Sequence, residues 1–428
     1  MFYLQKSFRP KAIRKCYYHT MPQQCRNIGW FARIPRAERD AIFGLVEDFQ
    51  KDTSKPKVNL GIGVFRTDED KPYILKCVQK AEEKILKKRM DKEYSPVAGF
   101  EIFKKLSMDF TFGKSSVFNK PGRHVTFQGL SGCGGLSIAA QFLRMFYPGR
   151  KMVYISDPTW PNHQNLFNKL GLKTDTYRYY DAENISLDFD GMMEDIHKMP
   201  YRSIILFHAS AHNPTGFDPT EEQWKEITEE VKKRKLYVIM DNAYQGFASG
   251  DLNKDAQSFR IMAKRRVNMV LVTSYAKNFG LYGERVGATS FLVDSKHEAD
   301  KILSQLILLI RANHSNPPLH GARIVEEVFT DPCLTKLWIE ELKIMANRLK
   351  SARKQLLQKL KETGSSRNWD FITKQIGMFS YTGLTKEQII RLQKEFHIYM
   401  LTSGRLAIPG ITSKNVEYVA KCIHKVTS

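Results

Sequence analysis

The stretch Met269–Gly287, MVLVTSYAKNFGLYGERVG, indicates how this chain folds and where its reactive groups lie. It opens with the apolar run Met269–Val272, which is typical of a strand buried on both faces. Lys277 follows just past the end of this strand, and Arg285 comes eight residues later. We therefore expect a lysine side chain at the end of a buried strand, close to a permanent cation.

Lys277 has two interpretations. A lysine that follows a buried strand is usually a solvated surface group. Ser274, Arg285 and the surrounding glycines favour a second role, because a lysine beside another cation and out of bulk water loses its proton more easily. The neutral amine is a nucleophile that attacks carbonyl groups, and pyridoxal phosphate is the commonest carbonyl held in this way.

Four apolar stretches are each followed by polar or aromatic candidate residues. The carboxyl ends of strands meet at one edge of an open α/β sheet, so these residues are expected to converge. Helical patterns such as Glu221–Lys233 alternate with the stretches, which predicts a mainly parallel sheet. The stretches and the residues after them are 152–156 with Trp160 and His163, 203–209 with Asn213, 237–240 with Asp241 and Tyr244, and 269–273 with Lys277.

The segment SGCGG, residues 131–135, is predicted to open an apolar helix that continues over 136–146. Glycines and a serine at a helix start make an anion-binding site from free N–H groups and the positive end of the helix dipole. The lysine of a nucleotide P-loop is absent here, and the isolated Gly61-x-Gly63 lacks the third glycine of a dinucleotide fingerprint. Both nucleotide interpretations are therefore rejected.

Composition and spacing exclude further classes. The net charge is +22, but lysines and arginines are interleaved with acids, which indicates a solvated basic surface rather than a nucleic-acid site. The apolar run Leu306–Ile310 is too short to cross a membrane. The six cysteines form no C-x-x-C pair, which fits a reducing compartment. His208 and His212 are spaced i, i+4, yet Pro214 prevents a long helix there, so core histidines are favoured over metal ligands.

Six motifs together resemble the aspartate aminotransferases, a class I family of pyridoxal-phosphate-dependent aminotransferases, and the mitochondrial type more than the cytosolic one. The resemblance runs from about Ile28 to the C-terminus. It implies an α/β fold, with a large aminotransferase-type domain around a mainly parallel seven-stranded sheet and a smaller α/β domain from both chain ends. The motifs are SYAKNFGLYGERVGA, VNLGIGVFRTD, DKEYSPVAGF, HASAHNPTGFDP, DNAYQGFASGD and HSNPPLHGARIV.

The resemblance also implies a division of the chain. Residues 1–25 are expected to be a mitochondrial presequence, and 26–39 an N-terminal arm that lies across a partner subunit. Residues 40–72 and 345–428 are expected to form the small domain, and 73–344 the large cofactor-binding domain. The expected location is the mitochondrial matrix. The residues support the presequence, because the first 37 contain eight Lys or Arg and no acid; a disordered basic tail is the alternative.

By resemblance, Lys277 holds pyridoxal phosphate covalently and moves the substrate proton, and Asp241 pairs with the ring nitrogen. These two residues, Tyr244 and Trp160 form the expected catalytic set. Tyr94 is expected to reach the cofactor phosphate of the partner subunit in a homodimer with shared active sites; taken alone, it is more typical of a half-buried packing residue. The other expected cofactor contacts are Ser131, Gly132, Cys133, His163, Asn213, Ser274 and Arg285.

The implied activity transfers the amino group between L-aspartate and 2-oxoglutarate by a ping-pong mechanism. Arg405 matches the family's clamp for the α-carboxylate, and Arg311 matches the arginine that crosses the interface to the side-chain carboxylate. An arginine fork pairs with a carboxylate through two hydrogen bonds, which lysine cannot do. Gly63, Trp160 and Asn213 are the other expected substrate contacts.

Several positions depart from the family pattern. Cys133 stands where threonine is usual, and a thiol is a weaker hydrogen-bond donor than a hydroxyl. The residues that follow Arg311 and those that flank Arg405 also differ. Two alternatives therefore stay open: an aminotransferase with a shifted range that includes aromatic amino acids, kynurenine or cysteine sulfinate, and a weakly active homologue that acts as a binding protein.

Overall fold

The computed structural model describes residues 29–428. Residues Ala41–Ser428 form one compact unit, and residues 29–40 lie outside it. Within the described part, the α-helices are α1 (Ala41–Lys51), α2 (Lys76–Lys87), α3 (Glu101–Phe112), α4 (Ser131–Phe146), α5 (Asn162–Lys169), α6 (Phe189–Lys198), α7 (Glu221–Lys233), α8 (Gln257–Lys264), α9 (Lys296–His314), α10 (His320–Thr330), α11 (Pro332–Glu362), α12 (Phe371–Lys374), α13 (Lys386–Phe396) and α14 (Val416–Thr427).

The strands form one large sheet and three small ones. The large sheet has seven strands in the order β2-β10-β9-β8-β7-β3-β4, and β10 alone runs antiparallel to its neighbours. The strands are β1 (Val58–Asn59), β2 (His124–Leu130), β3 (Met152–Asp157), β4 (Lys173–Arg178), β5 (Tyr180–Asp181), β6 (Ser186–Leu187), β7 (Ile204–His208), β8 (Tyr237–Asn242), β9 (Met269–Ser274), β10 (Val286–Leu292), β11 (Phe379–Tyr381), β12 (Ile398–Tyr399) and β13 (Arg405–Ala407). The predicted mainly parallel seven-stranded α/β sheet is confirmed.

The central strands are buried on both faces, which explains their continuous apolar sequences. In β7, Ile204 and Leu206 pack into the core on one face of the sheet, and Ile205 and Phe207 pack into the core on the other. Strand β9 alternates in the same way. Because helices cover both faces, polar groups are carried at the strand ends.

Helix α4 begins at Ser131 and ends at Phe146, so SGCGG opens this helix as predicted. The glycines of SGCGG belong to its first turns and allow close packing on the sheet. A Cβ atom on Gly135 would lie 2.3 Å from Oγ1 of Thr289, and one on Gly287 would lie 3.0 Å from Cα of Ser131. Tertiary packing, rather than helix propensity, therefore decides where this helix starts.

Both ends of the compact unit contribute to one region. Strand β1 pairs in parallel with β12, and β11 pairs with β13.

A long helix, α11, contains the apolar positions from Leu334 to Leu360, whose spacing predicts one helix. Asp331 caps its start by accepting hydrogen bonds from the N–H groups of Cys333 and Leu334.

The described part of the predicted arm is exposed. Trp30 and Phe31 are 100% and 78% exposed. The presequence predicted for residues 1–25 lies outside the described residues, as does the start of the arm. Within residues 29–428, no helix has the length and apolar character needed to cross a membrane.

Candidate active site

The carboxyl ends of β7, β8 and β9 bring the predicted residues together. In the sheet, His208 pairs with Asp241, and Asp241 pairs with Val272. Asn213 follows β7, and Lys277 follows β9 after Ser274. Since parallel strands end at one edge, residues that are far apart in sequence become neighbours there.

Asp241 is held as a carboxylate beside His163. Nε2 of the fully buried His163 lies 3.1 Å from Oδ2 of Asp241 and donates to it. Burial acts to raise the pKa of Asp241, but the hydrogen bond from His163 and the nearby charges, including Lys277, bring the pKa below its usual value. This end of the site therefore presents a stable negative charge to any cationic group.

A hydrogen-bond relay fixes the orientation of His163. The N–H of Asn213 donates to Nδ1 of His208 (3.1 Å), Nε2 of His208 lies 3.3 Å from Oγ1 of Thr159, and that hydroxyl lies 2.9 Å from Nδ1 of His163. Burial lowers the pKa of His208 to about 3, so its ring is neutral and each group in the chain donates to the next, ending at Asp241. Sequence reasoning missed Thr159, which no pattern distinguishes from other loop threonines.

His212 completes the buried histidine cluster. Its ring stacks on Tyr179 with centroids 3.9 Å apart and on His208 at 4.2 Å. Its ring nitrogens lie 2.8 Å from the hydroxyl of Ser156 and 2.9 Å from that of Thr215. His208 and His212 are thus hydrogen-bonded core histidines, which is the interpretation that Pro214 favoured over metal ligands.

The amine of Lys277 lies over the ring of Tyr244, with Nζ 5.2 Å from the ring centroid. Burial lowers the pKa of Lys277; the charges of Asp241 and Cys133 act against this, and the cations Arg285 and Arg405 add to it. Burial and the Asp241 charge raise the pKa of Tyr244, which keeps the phenol a donor. The sequence-based expectation of an amine that loses its proton easily is supported by this arrangement.

The start of α4 and the end of β9 form a cradle of donors. The hydroxyls of Ser131 and Ser274 lie 2.8 Å apart, and a Cβ atom on Gly132 would meet only Cβ of Ser274, at 3.6 Å. Nδ2 of Asn162 contacts Sγ of Cys133 at 3.7 Å, and burial raises the pKa of that thiol. Arg285 is exposed and donates to the carbonyl of Tyr282 at 2.8 Å.

Arg405 is 2% exposed and is oriented from several sides. Nη1 donates to Oδ1 of Asn213 (3.2 Å), and Nη2 donates to the carbonyl of Gly61 (2.8 Å). Its Cζ lies 4.0 Å from the ring centroid of Phe379. Burial lowers the pKa of Arg405 to about 10, and its buried Nε has no hydrogen-bond partner among the described residues. A buried, incompletely paired guanidinium is suited to receive a carboxylate.

Trp160 and Gly63 line the same region. The Trp160 ring meets His163 edge-on, with centroids 5.2 Å apart and an interplanar angle of 88°. A Cβ atom on Gly63 would lie 2.7 Å from Cζ of Phe379, so only glycine lets the backbone approach that ring. Phe379 was not singled out from the sequence, because its motif MFSYTGL carries no chemical signature.

Tyr94 and Arg311 lie at the surface instead. Tyr94 is 87% exposed, so its interpretation as a half-buried packing residue is wrong. Arg311 is exposed near the end of α9, where it contacts the hydroxyl of Ser315. Within this chain, these two predicted residues are not assembled with the buried groups.

Comparison with known proteins identifies the family. Residues 55–423 match the model of the class I and II aminotransferases. The chain is 50% identical over 402 residues to mitochondrial aspartate aminotransferase of Gallus gallus, covering 94% of this chain and 95% of that one. It is 46% identical over 424 residues to the mitochondrial aspartate aminotransferase of Xenopus tropicalis, covering 99% of each.

A solved structure is similar to this chain over nearly its whole length. The aromatic-amino-acid aminotransferase from Burkholderia pseudomallei, covalently bound to pyridoxal phosphate, superposes with a TM-score of 0.90 at 40% identity, covering 93% of this chain and 100% of that one. The chain belongs to the class I and II aminotransferase family.

Proposed function

We propose that this protein is a pyridoxal-phosphate-dependent aspartate aminotransferase that converts L-aspartate and 2-oxoglutarate into oxaloacetate and L-glutamate. One observation carries the proposal: the buried amine of Lys277 lies over the ring of Tyr244 at the strand ends, where the charges of both Asp241 and the buried Arg405 act on it. The high identity to mitochondrial aspartate aminotransferases supports the choice of reaction.

The residues present fit pyridoxal phosphate. Asp241 supplies an anion for a protonated ring nitrogen, and the donors of Ser131, Gly132 and Ser274 suit a phosphate at the start of α4. Because Arg405 donates to Oδ1 of Asn213, the amide nitrogen of Asn213 is directed away as a donor, and we assign it and Tyr244 to the phenolic oxygen. Trp160 would stack on the ring, and Cys133 and Arg285 would complete the phosphate contacts.

The chain's own groups perform the proton transfer. When bound, pyridoxal phosphate carries the amino group and withdraws electrons from the substrate Cα. Nζ of Lys277, freed by the incoming amino acid, would take the proton from Cα as general base and deliver it to C4′ of the cofactor as general acid. The lowered pKa keeps this amine neutral at a higher fraction than an exposed lysine, which suits the first of these roles.

Substrate selection rests on two arginines. Arg405 would hold the α-carboxylate through its unpaired edge, with Gly63 closing over the substrate. Arg311 is exposed on its own chain, and we propose that it reaches the side-chain carboxylate in the site of a second subunit. Tyr94 would cross to the partner's phosphate in the same way. The proposed assembly is therefore a homodimer with shared active sites.

The second candidate function is an aminotransferase with the same cofactor and catalytic residues but with aromatic amino acids as substrates. Aromatic amino acids share the α-carboxylate that Arg405 would bind, and the Burkholderia pseudomallei relative of matching fold is named for them. Since Arg311 is exposed on its own chain, its contribution to the pocket around the substrate side chain decides between the two substrate classes. The ratio of kcat/KM for aspartate to that for phenylalanine separates the two candidates.

We further propose the division 40–72 and 345–428 as small domain and 73–344 as large domain. The β1–β12 pair, which joins residues near both chain ends, supports this division. The basic, acid-free start of the chain supports import into the mitochondrial matrix.

The decisive experiment is a half-reaction with purified protein loaded with pyridoxal phosphate. The protein should be yellow, and reduction with borohydride should fix the cofactor on the peptide that contains Lys277. Adding L-aspartate alone should lower the visible absorption and release one equivalent of oxaloacetate per site. A protein that stays colourless after loading, or that responds to no amino acid, contradicts the proposal and favours a binding role.

A further inference from the structure

Arg353, in the middle of α11, is a buried cation far from any predicted site residue in sequence. It is 3% exposed, and its guanidinium donates to three carbonyl oxygens: those of Ile372 (3.0 Å), Gly377 (3.1 Å) and Phe379. Within residues 29–428 it forms no salt bridge, and burial lowers its pKa to about 9. A buried charge without a counter-ion is costly, so its hydrogen bonds to the three carbonyls must offset the cost of burying it.

The three carbonyls belong to the segment that leads into β11. This segment includes α12 and ends at Phe379, the first residue of the strand. In the small sheet, Phe379 pairs with Ala407, and Tyr381 pairs with Arg405. Arg353 therefore fixes the backbone at the start of the strand that lies beside the strand carrying Arg405.

The ring of Phe379 contacts the proposed substrate-binding residues Arg405 and Gly63. Cζ of Arg405 lies 4.0 Å from the ring centroid, which is a close cation–π contact. On another side, the ring lies so near Gly63 that a Cβ atom there would be 2.7 Å from Cζ of Phe379. The ring thus lies against both groups to which substrate contacts are assigned above.

The same contacts limit how Arg405 can move. Its Nη1 and Nη2 are bound by Asn213 and Gly61, and Phe379 covers its face, so the plane of the guanidinium is set by three neighbours. Of these, Phe379 is the one whose backbone carbonyl is held by a second buried cation, Arg353. Displacing its carbonyl would move the ring away from Arg405.

We propose that Arg353 is a positioning residue for carboxylate binding, acting through Phe379 on Arg405 and Gly63. The inference rests on the proposed role of Arg405 and extends it. Arg353 touches none of the groups assigned to pyridoxal phosphate, so its loss should weaken substrate binding and leave cofactor retention unchanged.

The test compares Arg353→Lys and Phe379→Leu with the wild-type holoenzyme. Lysine keeps the charge but cannot span three carbonyls, and leucine keeps the carbonyl contact but removes the aromatic ring. The measurements are the Kd for succinate, which is a dicarboxylate without an amino group, the KM for aspartate, kcat, and the cofactor retained after gel filtration. We expect both variants to raise Kd and KM about tenfold, with kcat changed less and the cofactor fully retained.

Arg260→Lys is the matched control. Arg260 also donates to backbone carbonyls, those of Thr111 (2.7 Å) and Phe110 (3.3 Å), and burial also lowers its pKa, but it contacts neither Phe379 nor Arg405. This variant should bind succinate like the wild type. An effect as large as that of Arg353→Lys would indicate general destabilisation and overturn the inference.

Other outcomes separate the inference from the proposed function. A folded Arg353→Lys protein with Kd and KM within about twofold of wild type overturns the inference alone. If Arg353→Lys weakens substrate binding and cofactor binding equally, the inference is also overturned. If Arg353→Lys does not fold, unchanged succinate binding by Phe379→Leu overturns it. A wild-type protein that binds no dicarboxylate contradicts the proposed function itself.

Discussion

The two halves of the candidate site differ in how completely one chain builds them. The inner half, consisting of Asp241, His163, Thr159 and His208, is buried and connected by successive hydrogen bonds. The outer half, consisting of Tyr94, Arg285 and Arg311, is exposed. The difference indicates that one chain by itself organises the groups around Asp241. The exposed groups are left open, and in the proposed homodimer a second subunit would complete them.

The largest expected effect comes from removing the amine on which both halves depend. Lys277→Ala deletes the group that would hold the cofactor and transfer the proton, so kcat should fall by at least about 10⁴-fold. The measurement is steady-state turnover, with cofactor content determined in parallel. Lys301→Ala, which removes an exposed lysine of α9, is the control. Near-normal turnover of Lys277→Ala would contradict the assignment of both halves.

A second prediction tests the charge of the inner half. Asp241→Asn keeps the shape but removes the anion, so the ring nitrogen loses its partner and kcat should fall about 10²- to 10³-fold. Turnover and the absorption spectrum of the bound cofactor are the measurements. A loss below about tenfold would show that the carboxylate does not stabilise the reacting state.

The third prediction tests whether the outer half comes from a second subunit. Arg311→Ala should lower kcat/KM for aspartate about 10- to 150-fold and change the value for phenylalanine little, because a charged hydrogen-bond pair is lost only with the dicarboxylate. The ratio of the two values is the measurement. Equal losses for both substrates would remove Arg311 from side-chain recognition.

Mixing two impaired variants in one dimer sharpens this test. Refolding Lys277→Ala together with Arg311→Ala should restore roughly a quarter of wild-type activity, since half of the dimers are mixed and each contains one intact site. The separately refolded variants are the control. Absence of restored activity, despite mixed dimers being present, would place both residues in the site of the same chain.

A smaller effect is expected from the relay inside the inner half. Thr159→Val removes the hydroxyl between His163 and His208 while keeping a similar shape, and the loss of such bonds should lower kcat about 2- to 13-fold. Thr174→Val, which alters an exposed threonine bonded to Asn168, is the control. A pH profile of kcat identical to that of the wild type, with unchanged turnover, would show that the relay does not influence Asp241.

The smallest expected effect concerns the boundary between the halves. Cys133→Thr replaces the weak thiol donor at the start of α4 with a hydroxyl, so pyridoxal phosphate should dissociate about 2- to 5-fold more slowly. The rate of cofactor loss during dialysis measures this directly. Faster loss would indicate that Cys133 fits the cradle better than a hydroxyl does.

Much of the inner half was predictable because the signals are local. Continuous apolar stretches predicted β7, β8 and β9, and the residues just after them, Asn213, Asp241 and Lys277, lie together at the strand ends as expected. Thr159 and Phe379 were not predictable. Thr159 links His163 to His208, which lies 49 residues away in sequence. Phe379 contacts Gly63 and Arg405, which lie in segments distant in sequence. The start of α4 at SGCGG was also predictable, whereas the packing of its glycines against the sheet was not.

The sequence by itself determined the α/β class, the order of strands and helices, the residue types of the reactive site and the family to which the chain belongs. These follow from periodicity and motif spacing, which are properties of neighbouring residues. Only the tertiary structure decided which groups touch: the relay behind Asp241, the ring of Phe379 against Arg405, and the exposure of Tyr94 and Arg311. Such contacts depend on how distant segments pack, and packing is set by the whole chain at once.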